Sequence, residues 1–166
     1  MLALATAFDA GEASLQTDGV MYGTVIAVHN VLAWLVLAIG LMVLVQAVTA
    51  KATWGPEQTS WVRRLTLLVH LQFVAGLVLW FVSPTVAAAR AVMGTTMKDA
   101  ALRRLVVEHP TLMLLAVVAA TVTSVMVRKA PSSETKAKKA LMGTLLTLVL
   151  VAAVIPWQNL ISRWTA

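Results

Sequence analysis

The 166-residue chain has no cysteine, which removes disulfides, thiolate metal sites, covalent c-type haem attachment and cysteine nucleophiles together. Charge is scarce: acidic residues number 7 and charged residues of both signs make up 12%. No hydrolytic triad, phosphate-binding glycine loop or carboxylate pair stands in a plausible context. There is no internal repeat to support a duplicated transporter fold. The first nineteen residues, MLALATAFDAGEASLQTDG, lack a basic start and carry Asp9, Glu12 and Asp18. That makes a poor signal peptide, and an N-terminal tail, disordered or interfacial, is expected over 1–19.

What is present is hydrocarbon. Apolar residues reach 60% and mean hydropathy is +0.85, values that place the chain among integral membrane proteins and leave no room for a separate soluble domain. The net charge of +6 would suggest nucleic acid in a soluble protein. In a membrane protein it is the ordinary cytoplasmic-loop bias, and no nucleic-acid partner is expected.

Four spans are expected, at about 21–50, 61–83, 102–127 and 140–157, because each is a long apolar run bounded by Gly-Pro, Pro or clustered charge. The first holds His29, Asn30 and Gln46 among apolar residues; the second holds His70 and Gln72; the third opens Glu108-His109-Pro110. The segment 85–101 is too polar to span and is read as an interfacial helix. The run RKAPSSETKAKK, 128–139, is read as a solvated basic loop, and QNLISRWTA, after Pro156-Trp157, is expected at the outer surface. Linkers 1–2 and 3–4 carry Lys51, Arg63, Arg64, Arg128, Lys129, Lys136, Lys138 and Lys139, against Arg90, Lys98, Arg103, Arg104 and Arg163 opposite. The positive-inside rule then gives an all-α, integral membrane four-helix bundle with both termini on the outer, periplasmic side. Trp54, Trp61 and Trp80 fall near span ends, where indole rings prefer the interface.

An ionisable residue at hydrocarbon depth is a functional-site hypothesis by default. With about 1.5 Å rise per residue, His29 and His109 sit at similar depth, roughly 10 Å below the outer surface. His70, on the antiparallel second span, should lie one or two turns deeper. A b-type haem needs two imidazoles at matching depth on opposite faces of one iron, and His29 with His109 meets that condition. Ala33 and Gly40 continue the His29 stripe, and Ala116 and Ala120 that of His109; small residues leave room for a macrocycle and equally serve plain helix contact. Arg103 and Arg104, with Arg90, stand where haem propionates would emerge. Pro110 cannot donate to the Val106 carbonyl, so a kink and a freed acceptor beside His109 are expected, while Glu108 and Arg104 have the spacing of an intrahelical ion pair. Gln72, a turn from Gly76, reads as an interhelical hydrogen bond rather than a quinone contact. Met93 and Met97 read as interface filler rather than copper ligands.

Five segments, MYGTVIAVHNVLAW, HLQFVAGLVLWFVSP, MKDAALRRLVVEHPTLMLLA, KAKK and the closing IPW, resemble small bacterial four-helix membrane proteins labelled cytochrome b-like. The likeness covers most of the chain after residue 20, and residues 1–20 depart from it. It implies a haem-binding or electron-transfer role in a bacterial inner membrane.

The functional expectation is a b-type haem protein in the lipid bilayer, with haem b on His29 and His109, passing electrons to or from quinone or other membrane redox subunits rather than acting as a stand-alone enzyme. Two alternatives stand beside it. One is an enzyme-like or metal-handling site: either copper or zinc on which His29, His70 and His109 converge, or a haem-modifying protein using His70 and Glu108 to move protons. The other is a non-catalytic structural or assembly subunit, oligomeric or held in a larger complex.

Overall fold

The computed structural model describes the backbone over residues 2–155 and the side chains over 19–155. Among these residues all regular structure is helical: α1 (Leu2–Thr49), α2 (Pro56–Val82), α3 (Pro84–Ala91), α4 (Met93–Thr96), α5 (Ala100–Arg103), a π-helical turn (Arg104–Glu108), α6 (His109–Lys129) and α7 (Ser133–Val154). Four stretches are long and apolar enough to cross a membrane: Gly19–Thr49, Pro56–Val82, Ala100–Lys129 and Ser133–Val154. The expected end of the fourth span at Pro156-Trp157, the outer placement of QNLISRWTA and Arg163 all lie outside the described residues.

Three boundaries differ from expectation, each for a local reason. The helix that carries the first span begins at Leu2, so residues 2–19 are helical and continuous with α1. The second span starts at Pro56 rather than Trp61 because Pro56 has its φ preset for a first turn and Gln58 Oε1 accepts the Gly55 N–H at 2.9 Å. The fourth starts at Ser133 rather than 140: the Ser132 hydroxyl accepts from Thr135 N–H and Glu134 sits in the first turn, where the helix dipole favours an acid. The lysines of KAKK therefore belong to the helix, for which Lys and Ala are good formers, and the basic loop shrinks to three residues. Ser83, in extended conformation before Pro84, ends α2 and caps α3 through Val86 N–H.

α1 packs on α2, α2 on α6, α6 on α7, and α7 back on α1, so the long helices close a ring with α1 across from α6. The ring is filled by Val36, Val43, Val69, Met113, Ala116, Ala120, Val127, Ala140 and Val151. Close approach is set by small residues: Gly143 faces Thr123 between α6 and α7, and Gly40 faces Leu148 between α1 and α7. Gln72, Thr123, Ser124, Thr144 and Thr147 are buried, while Leu41, Leu67 and Phe81 are more than half exposed. Polar groups inside and large apolar groups outside is the arrangement a lipid solvent rewards. The segment expected as an interfacial helix, 85–101, is helical as α3 and α4. It packs Val86 and Ala89 on Val106, Trp80 and Leu102, and Thr96 Oγ1 donates to Ala89 O at 2.7 Å.

Candidate functional site

His29 on α1 and His109 at the start of α6 meet across the ring, their ring centres 6.2 Å apart and their planes tilted by 52°. The matched depth expected of them follows from two antiparallel turns of chain separating two parallel helices. His109 is held from behind: its Nδ1 donates to Val154 O on α7 at 3.3 Å, because a carbonyl can only accept, and Nε2 then presents a lone pair. His29 is held by Gln72 on α2, amide Nε2 to ring Nε2 at 3.2 Å. Gly76, one turn on, gives the ring its space; a Cβ there would stand 3.0 Å from His29 Cε1. Gln72 thus makes the interhelical bond expected of it, with His29 as the partner.

Two buried atoms at this point have no partner among the described residues: His29 Nδ1 and Gln72 Oε1. Turning the amide over lets Oε1 accept the Nε2–H of His29, and Nδ1 then offers a lone pair. In that arrangement each histidine is tied down through one nitrogen and open at the other. One metal ion shared by two imidazoles, at about 2.0 Å from each nitrogen, sets ring centres roughly 6 Å apart. The pair has that spacing.

The approach to His109 takes an unexpected form. Pro110 does release the Val106 carbonyl, but no free acceptor is left beside the histidine: Trp80 Nε1 on α2 donates to Val106 O at 3.0 Å. The chain answers the proline with a π turn, in which His109 N–H reaches back five residues to Arg104 O. The same register change re-pairs the charges. Glu108 meets Arg103, five residues back, at 2.7 Å, instead of Arg104, four back. Arg103 also donates to Met97 O at 3.0 Å, and Arg104 is exposed. Arg90 lies over the Trp80 ring at 4.2 Å, and Ser83 Oγ is 3.5 Å from Tyr22 OH.

His70 is not part of the pair. Its Nδ1 donates to Thr66 O at 2.7 Å and its Nε2 lies 3.4 Å from Thr121 Oγ1 on α6. It is two residues from Gln72, so by 3.6 residues per turn the two side chains leave α2 about 200° apart. The expected three-histidine copper or zinc site does not form, and no group of three His, Asp or Glu able to hold a metal occurs among the described residues. Of the span-end tryptophans, Trp54 is buried, donating to Thr59 Oγ1 at 3.0 Å, whereas Trp61 carries Arg64 over its ring at 4.3 Å. Sequence reasoning missed the Val154 carbonyl and the clearance that Gly76 gives His29. The Gln72–Gly76 spacing was a signal for the second; a backbone carbonyl carries no side-chain signal for the first. No family model, curated protein or solved structure matches the chain.

Proposed function

We propose that this chain is a membrane-embedded b-type haem protein of the cytochrome b-like kind, taking part in electron transfer, with the haem held between α1 and α6 by His29 and His109. The observation that supports it is the pair of imidazoles with ring centres 6.2 Å apart, each anchored through one ring nitrogen. When bound, the haem would supply reversible one-electron exchange, with His29 and His109 as the residues that would hold it. The chain's own residues do the rest. Val154 O fixes the His109 tautomer, and Gln72 holds the His29 ring in orientation. Gly76 keeps that ring unhindered. Ala116 and Ala120, both buried, belong to the packed core of the ring. Arg104, exposed, is a cation available to a propionate, whereas Arg103 is engaged by Glu108.

This reading includes the finer architecture: a four-helix bundle in a bacterial inner membrane, both termini outside, with the histidine pair in the outer half and a quinone or redox subunit as partner. The lysine and arginine excess of linkers 1–2 and 3–4 supports that orientation. The test is the reduced-minus-oxidised optical spectrum of the purified protein with haem extraction. A b-type band at near one haem per chain is expected, absent from His29→Ala and His109→Ala. Full haem in both variants, or a colourless protein after expression with added haem, refutes it.

A further inference from the structure

On the other side of α2, His70 sits near the midpoint of a helix running Pro56–Val82, at a depth where water is not available to satisfy a polar group. Its Nδ1 carries the ring proton, because at 2.7 Å from Thr66 O it faces a pure acceptor. Nε2 of the singly protonated ring is therefore an acceptor in search of a donor. The neighbouring hydroxyl does not provide one. Thr121 has a single O–H, and it is given to Val117 O at 2.7 Å, which leaves only a lone pair of Oγ1 facing Nε2 at 3.4 Å. Two acceptors thus converge on one point of the α2–α6 seam. His70 is half-buried and Thr121 exposed, and large apolar side chains flank the point on both helices: Leu67 and Leu71 on α2, Val118 and Val122 on α6, all exposed.

We infer that His70 Nε2, with Thr121 Oγ1 beside it, is a binding site for the hydroxyl of an isoprenoid hydroquinone entering sideways from the bilayer. The missing partner must be a hydrogen-bond donor, must be soluble in hydrocarbon, and must bring its donor to mid-membrane. Hydroxyls of sterols and acylglycerols stay at the headgroup level; a hydroquinone ring on a long apolar tail does not. The exposed leucines and valines offer that tail its contact. The inference rests on the reading above that a quinone is a partner, together with the geometry of His70 and Thr121, and it does not need the haem. It does set such a ligand one helix diameter, about 10 Å, from the His29–Gln72 contact on the opposite face of α2.

The test is a titration of the full chain in nanodiscs, with 15N-labelled histidine, by decylubiquinol and by its 1,4-dimethyl ether, which keeps ring and tail but has no donor. Only three histidines are present, and His70→Phe identifies the third signal. Decylubiquinol should move the His70 Nε2 resonance upfield and saturate; the ether should not. His70→Phe should weaken saturable binding about tenfold, the loss expected of one hydrogen bond. No shift with decylubiquinol, or an equal shift with the ether, overturns the site. A shift with dodecanoic acid and none with decylubiquinol overturns it in favour of a fatty acid. If His70→Phe does not fold, the wild-type titration with the two probes decides alone. A colourless protein that still gives the shift refutes the haem and leaves this site standing.

Discussion

Replacing Gly76 by alanine probes the histidine pair without touching a polar atom. The added Cβ would stand 3.0 Å from His29 Cε1 and 3.6 Å from Nδ1, where ordinary contact begins at 3.4 Å, so the ring must yield by 0.4 Å (3.4 − 3.0). The bond from Gln72 to His29 is already 3.2 Å, and a displacement of that size is enough to carry it beyond hydrogen-bond range. Losing a buried hydrogen bond costs about 1–3 kcal/mol. The better helix propensity of alanine returns roughly 0.5–1 kcal/mol. A net loss of up to about 2.5 kcal/mol is expected, together with a changed or weakened haem band. Gly23→Ala is the control, since nothing lies within 4 Å of a Cβ there; it should be neutral or slightly stabilising. Thermal unfolding in detergent reads the first quantity and the optical spectrum the second. In a Gln72→Leu background the bond is already gone, so the Gly76→Ala penalty should shrink. Equal behaviour of Gly76→Ala and Gly23→Ala in both assays, or an undiminished penalty without Gln72, would refute the reasoning.

Three further substitutions test how the helices are held. Trp80→Phe keeps an aromatic ring under Arg90 but removes the donor to Val106 O; about 1–3 kcal/mol of stability should be lost, and a melting curve unchanged from wild type would mean that the carbonyl finds another partner. Gly143→Ala brings a Cβ to 2.7 Å from Thr123 Cβ, an atom fixed to the backbone of α6, whereas Gly40→Ala meets Leu148 Cδ2 at 2.6 Å, the end of a side chain that can rotate. The first should therefore lose about 1–3 kcal/mol or more by forcing α6 and α7 apart and the second clearly less, and equal melting temperatures for the two would show that helix separation is not what the glycine protects.

How much of this the sequence carries depends on whether the governing interaction is local. Span positions were legible because hydrocarbon length is a property of the run itself, and the shared depth of His29 and His109 because rise per residue is constant. The start of α7 was legible too, in the Ser132 cap and Glu134, but the lysines of KAKK drew it into a loop. The π turn was not: Pro110 announces a disturbed helix, yet whether the chain kinks or inserts a wider turn is settled by where Trp80 and α3 can reach. That choice rotates everything before it and gives Glu108 to Arg103 instead of Arg104.

The face of each polar residue on α2 was nevertheless fixed by spacing alone. Residues two apart on a helix do not share a side, so once Gln72 reaches His29, His70 must serve something else. A three-histidine site would have required α2 to abandon its helical register between the two. The register holds, and its consequence is a helix with a polar contact on each side at nearly one depth: Gln72 turned inward to the histidine pair, His70 turned to the seam with α6. A polar side chain in hydrocarbon is costly wherever it lacks a partner. The inward one has His29. The outward one has the Thr66 carbonyl behind it and, at 3.4 Å from its other nitrogen, a Thr121 hydroxyl whose proton is given to Val117 O, and that imbalance is the reason a donor from the membrane is the partner to look for.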